Sequence, residues 1–315
     1  MKSIKELTME NNFKLLDSIV SGKFEILDSI DTGSNSMSFK YRSNGNVKIA
    51  KLNITKKISE KIRNQYILDP YAYFGSDENE YNKGTLTEFK KNILKRDYVS
   101  ESFLCFIACQ ILNGLKYIHE RKIVHLDLKP ENIVIGDYLT VKLIDFSISL
   151  DYSKTESNKI KLPFVGTNFY IAPEILSQKT IYVKDLNKVD LYSLGVIIFN
   201  LAFGSYPYGL TDEDIEENQE YSKILKKIEN GNLEIDNEDN YFSSYFIDFL
   251  KSLLEKDISK RININEALDH YWIKGAKILK DEKENLFNSE KFLEVLINNS
   301  LIKFNHYMNK NKIVE

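Results

Sequence analysis

Eight consecutive residues, HLDLKPEN (His125 to Asn132), put an aspartate, a lysine and an asparagine into one loop between KIVH and NIVI, which read as short strands. Asp127 there can accept a proton, and Lys129, two residues on, can hold an anionic oxygen. Asp145 follows in IDFS, thirteen residues after Asn132, and Gly166 to Glu174 reads GTNFYIAPE. Amide and carboxylate oxygens such as those of Asn132 and Asp145 are the hard donors that Mg²⁺ takes. Singly, each is an ordinary polar loop residue. Together, in this order and at this spacing, they are far more specific than any one of them alone.

The elements that must position them fall into two groups. From Lys23 to about Asn53, FEILDSI, SFKYRS and VKIAKLNI read as three consecutive antiparallel strands, with SNGN as the hairpin turn between the last two. Thr55 is placed to cap a helix through KKISEKIRNQYIL that ends at Asp69-Pro70, and YAYF reads as a further short strand. Beyond Gly84 the pattern is mainly helical. Ser100 to Glu120 is long and amphipathic, with Cys105 and Cys109 four apart on one face. VKLID reads as another strand, the stretch up to Ala172 as irregular, and helices dominate from 186 onward. Strands first and helices after imply an α+β fold with a small β-rich lobe and a larger helical one.

The three chemical segments together resemble the catalytic core of a eukaryotic-type protein kinase of the serine/threonine group, over about residues 23 to 275. The resemblance implies a two-lobed domain, with an N-lobe over about 23–80 and a C-lobe over about 81–275. An N-terminal arm (1–22) and a helical C-terminal extension (276–315) would flank it. It also implies ATP and Mg²⁺ (or Mn²⁺) as cofactors and serine or threonine hydroxyls of a protein as substrate. Asp127 would orient the hydroxyl and take its proton, Lys129 would reach the γ-phosphate, and Asn132 and Asp145 would hold the metal. In the nucleotide site Gly33 takes the place of the glycine-rich loop. Lys51 is the strand lysine for the α- and β-phosphates, with Lys48 as its rival, and Glu60 is its carboxylate partner. Thr167 is expected to hydrogen-bond near Asp127 and Lys129. Glu174 with Arg261 resembles a buried ion pair, and Asp190 a carboxylate that holds the catalytic-loop backbone. Phe146 reads as a core plug, and Trp272 in HYWI as part of the last core helix.

Several positions depart from the family pattern. IDTGSNSMSF keeps one glycine of three, since Asp31 and Ser36 stand where the others would be, and this implies weakened nucleotide affinity. Glu60 lies only nine residues after Lys51. Between Pro70 and the hinge-like Glu80-Tyr81 there is room for one strand at most. Leu126 replaces the usual arginine before Asp127, so phosphate-driven ordering through that residue is not expected. Ser147 replaces the glycine of D-F-G. These departures support a second reading, a pseudokinase that binds nucleotide or partners without turnover. Glu131 is expected to favour a basic substrate context, and Ser153, Thr155 and Ser157 are candidate phosphorylation sites.

Composition bounds the rest. The 315 residues carry a formal net charge of -3, with 43% apolar and 28% charged residues, the balance of a globular chain. That charge gives no electrostatic case for nucleic-acid or membrane binding. Two cysteines fit a reducing cytoplasm. The N-terminal residues lack a signal-peptide core. The apolar run 191–203 is shorter than the roughly 20 residues that span a bilayer. The acidic run TDEDIEENQE (211–220) reads as a solvated loop or helix face.

Overall fold

The computed structural model describes residues 25–32, 36–43, 46–53, 73–74, 84–91, 99–136, 140–211, 214, 220–235, 237 and 241–274. Gly33, Glu60, the helix expected after Thr55, the hinge at Glu80-Tyr81, the arm at 1–22 and the extension at 276–315 lie outside the described residues.

The fold is α+β, with the two lobes expected. Strands β1 (Glu25–Thr32), β2 (Ser36–Ser43) and β3 (Asn46–Asn53) form consecutive antiparallel hairpins, and β4 (Tyr73–Phe74) adds to β3. Register shifts interrupt β1 against β2 between Ile26 and Asp28 and between Ser29 and Asp31. The β2–β3 register is unbroken; Lys51 stands opposite Ser38 and Tyr73, three positions from Lys48.

The helical lobe begins with the short α1 (Leu86–Phe89), closed by a capping box between Thr85 and Glu88. Helix α2 (Glu101–Glu120) starts at Ser100, whose Oγ accepts from the Phe103 N–H at 3.3 Å, and most of its residues are buried. Short strands follow: β5 (Ile123–Val124), β6 (Ile133–Ile135), β7 (Val141–Leu143), β8 (Leu150–Asp151) and β9 (Lys159–Lys161). Helix α3 (Pro173–Leu176), β10 (Thr180–Tyr182) and α4 (Lys188–Phe203) come next, then α5 (Glu220–Asn230), α6 (Ser244–Leu253) and α7 (Ile264–Asp269). Helix α2 packs on α4, α7 and β7, while α6 lies against α4.

Three sequence expectations need correction. The stretch before Ala172 is not irregular, because β8 pairs with β5 and β9 with β10. Strands of two or three residues are too short to show a period of two, which is why the pattern hid them. The helical stretch Val183–Phe203 runs 21 residues, longer than the apolar run alone, and its apolar window has a mean hydropathy of 1.3. It is long and apolar enough to cross a membrane, yet 83% of that window is buried inside the protein, as in a core helix. Within the acidic run, Asp214 is buried rather than solvated, and its Oδ2 accepts from Lys227 Nζ at 2.7 Å.

Trp272 closes the far end of the core. It is fully buried against Phe246 and Phe249, at centroid distances of 5.1 and 4.9 Å. Its Nε1–H donates to Glu101 Oε1 at 3.0 Å. Ser243 donates to the same carboxylate, through its N–H at 2.8 Å and its Oγ at 2.5 Å. One buried carboxylate thus ties the starts of α2 and α6 to the last core residues. Cys105 is buried beside them, its Sγ donating to Trp272 O at 2.9 Å.

Candidate active site

The catalytic-loop residues sit where β5 ends and β6 begins, each strand paired with a later one, β5 with β8 and β6 with β7. The loop between them is held from below by Asp190, in the first turn of α4. Its Oδ2 accepts the His125 N–H at 2.9 Å and its Oδ1 the Leu126 N–H at 3.0 Å. A carboxylate can only accept, so His119 Nε2 is the donor in its 2.8 Å bond to Oδ2. All of Asp190 is buried. Burial pushes its carboxyl up, but the hydrogen bond and charge of His119, with His125, outweigh that and hold it below the usual aspartate range.

These bonds also explain the backbone of Leu126, which has φ of 67°. A left-handed conformation costs a leucine roughly 1–3 kcal/mol, and the anchored N–H groups of His125 and of Leu126 itself offset that. The turn it makes leads into Asp127, whose side chain is half-buried.

Around Asp127 three side chains converge. Thr167 Oγ1 donates to Asp127 Oδ1 at 2.6 Å, and Lys129 Nζ lies 3.0 Å from Oδ2. Lys129 Nζ also donates to Thr167 Oγ1 at 2.7 Å. Asn132 Nδ2 donates to both the backbone O and Oδ2 of Asp127, at 2.8 and 3.0 Å. With Nδ2 used twice, the amide oxygen of Asn132 is the atom left for a metal. Asp145, with φ of 62°, follows β7, and the Ile144 N–H donates to Asn132 O at 3.0 Å, which ties the two candidate ligands together. One amide oxygen and one carboxylate are too few for a protein cage. They fit a Mg²⁺ that takes its other oxygens from phosphate and water.

The IDFS segment packs as its residue types suggest. Phe146 is buried, with its ring 4.7 Å from that of His125. The His125 ring accepts at Nδ1 from the Asp127 N–H (3.3 Å) and donates from Nε2 to Ile144 O (3.0 Å), which places its proton on Nε2. Ser147 N–H donates to Asp145 Oδ1 at 3.3 Å, so the serine in the glycine's place leaves that carboxylate oriented. Glu131 is exposed, and its Oε1 accepts from the Thr87 hydroxyl at 2.9 Å.

Downstream, Arg261 grips Glu174 through two bonds, NH1 to Oε1 at 2.7 Å and NH2 to Oε2 at 2.9 Å, with both residues buried. This bidentate pair anchors the GTNFYIAPE segment to the helical lobe. Asp127, Lys129, Asn132 and Thr167 are thus joined by hydrogen bonds and Asp190 holds their loop, while Asp145 follows β7 next to Ile144, whose N–H reaches Asn132 O. Lys51 is placed in β3, and Gly33 and Glu60 lie outside the described residues. His119 was not anticipated. The signal was available: a histidine on the buried side of an apolar helix, six residues before His125, needs a partner for its ring.

Comparison with known proteins gives a consistent picture. The protein kinase domain family matches residues 41–273. The chain is 32% identical over 249 residues to MAP kinase kinase MKK1/SSP32 of Saccharomyces cerevisiae, which covers 75% of this chain and 46% of that protein. It is 30% identical over 256 residues to the probable serine/threonine-protein kinase fhkA of Dictyostelium discoideum, covering 71% and 42%. Over 184 residues it is 32% identical to serine/threonine-protein kinase dkf-1 of Caenorhabditis elegans, covering 57% and 23%. The chain spans less than half the length of each of these relatives.

Proposed function

Because this chain belongs to the protein kinase family, we propose that it is a working serine/threonine kinase that transfers the γ-phosphoryl of ATP to a protein hydroxyl. The observation that carries the reading is the bonded set of Asp127, Lys129, Thr167 and Asn132, which fixes a carboxylate next to an ammonium in one half-buried loop. Bound ATP would supply the phosphoryl group, with Mg²⁺ or Mn²⁺ neutralising its charge. Asp127 orients the incoming hydroxyl and takes its proton. Lys129 holds negative charge on the transferring oxygens. Asn132 and Asp145 would hold the metal, and Lys51, steadied by Glu60 as its carboxylate partner, would hold the remaining phosphates together with the loop at Gly33. Glu131 adds a carboxylate at the rim of the same loop, which favours a basic substrate. A chain with two cysteines suits the reducing cytoplasm.

The competing reading, a pseudokinase without turnover, draws on Asp31 and Ser36 in place of glycines and on Ser147. The test is transfer from labelled ATP to serine, threonine and tyrosine peptides, with Mg²⁺ and Mn²⁺ supplied separately. Incorporation into serine and threonine peptides supports the kinase. A folded chain that transfers nothing with either metal supports the pseudokinase.

A further inference from the structure

Between Asn158 and Gly166 the chain reads NKIKLPFVG, nine residues without a serine, threonine or tyrosine. This stretch leads directly into Thr167, whose hydroxyl bonds Asp127, so whatever orders it also delivers Thr167. Phosphate on the stretch itself is chemically impossible. Beside the catalytic loop, the described side chains offer little to hold a phosphate. Leu126, beside Asp127, is apolar and buried. Of the arginines whose side chains are described, Arg121 stacks on the Tyr117 ring at 3.6 Å, and Arg261 is committed to Glu174. Ser153, Thr155 and Ser157 carry hydroxyls, but they lie in the exposed loop before β9.

A backbone ribbon stands in that place. Strand β9 pairs with β10, with Lys161 opposite Thr180, Ile160 opposite Ile181 and Lys159 opposite Tyr182. The Val183 N–H extends the pairing by donating to Asn158 O at 3.0 Å. The alternation of a strand sorts its faces. Lys159, Lys161, Thr180 and Tyr182 are exposed, while Ile181 is buried and Ile160 packs on the core. Leu162, next along, is buried as well. Beyond the ribbon the segment is fastened again. Upstream, the Tyr152 N–H donates to Lys122 O at 2.9 Å; downstream, Ser193 Oγ donates to Tyr170 O at 2.7 Å.

We infer that the β9–β10 ribbon, closed by Ile160 and Ile181, holds the segment from Asp145 to Glu174 in its competent form without phosphate, which makes the two isoleucines positioning residues for Thr167. The inference rests on the kinase reading for its consequence, a kinase active as synthesised, but the ordering can be measured without turnover.

The experiment is hydrogen exchange, read by mass spectrometry, on the full chain after phosphatase treatment and on a Ser153→Ala, Thr155→Ala, Ser157→Ala variant. Amides of 158–162 and 180–183 are expected to exchange about 100-fold slower than those of 153–157, with no change after incubation with ATP and Mg²⁺. Ribbon amides that exchange as fast as that loop in the phosphate-free chain would overturn the inference, whatever the activity. Slow exchange in a chain that transfers no phosphate would support the ribbon and count against the kinase reading alone. For the positioning role, Ile160→Ser should lower kcat by about tenfold or more with ATP affinity kept, and Ile160→Val should restore the rate. An Ile160→Ser chain that turns over like the parent would show that the ribbon positions nothing.

Discussion

Thr167 Oγ1 donates to Asp127 Oδ1 at 2.6 Å across 40 residues of sequence, and Lys129 closes the triangle at 2.7 Å from the same hydroxyl. A hydroxyl that accepts from an ammonium while donating to a carboxylate has no freedom left to rotate. It locks the carboxylate plane, and with it the lone pair that would face a substrate hydroxyl.

Thr167→Val tests that lock, because it keeps the shape and deletes only the hydroxyl. The rate of phosphate transfer should drop about tenfold, the lower part of the range for misplacing a catalytic group, while ATP binding stays the same. Calorimetry of ATP binding alongside steady-state kinetics separates the two. An equal loss in both would mean that Thr167 serves the nucleotide site instead.

Asp190 supports three donors at once: the backbone N–H groups of His125 and Leu126, and the His119 ring. Asp190→Ala would leave all three buried and unmatched, and should cost about 3–5 kcal/mol in urea unfolding. Its carboxyl lies below the usual aspartate range, so the folded chain releases that proton more readily than the unfolded one. The sign follows: this stabilisation is complete above about pH 3.9 and is lost as pH falls through the lower folded value. A loss under about 1 kcal/mol in the variant, the size of a neutral hydrogen bond, would mean that another group anchors the loop.

Glu101 should behave in the opposite sense. Burial pushes its carboxyl above the usual glutamate range, and the hydrogen bonds from Ser243 and Trp272 only partly oppose this. The folded chain then holds the proton longer than the unfolded one, so stability from this group is present below about pH 4.3 and falls as pH rises through the raised value. Urea midpoints of the parent and Glu101→Gln, compared from pH 4 upward, should show the parent losing ground relative to the variant. A difference that stays flat or moves the other way would mean that the three donors win and the carboxyl is not raised.

How much of this was legible follows from the range of each interaction. The residues from His125 to Asn132 and Asp145 could be read because the loop's chemistry is packed into one short stretch of chain. Thr167, Glu174, Arg261 and Asp190 were legible only through the family resemblance, since their partners are distant in sequence. His119 and Glu101 escaped notice because a buried polar group on a helix is recognised by its partner, and that partner lies 71 residues away for His119 and 142 for Glu101. The β9–β10 ribbon was hidden for another reason: KIK and TIY are too short to show alternation until they are paired.

The most direct test of the account is Asp127→Asn, which preserves size and most hydrogen bonds but removes the proton acceptor. Transfer from labelled ATP to a serine/threonine peptide should fall about 100- to 10,000-fold, with ATP binding and the unfolding midpoint close to those of the parent. A variant that is folded, binds ATP and still transfers phosphate at the parent rate would contradict the assignment of Asp127 as the catalytic base.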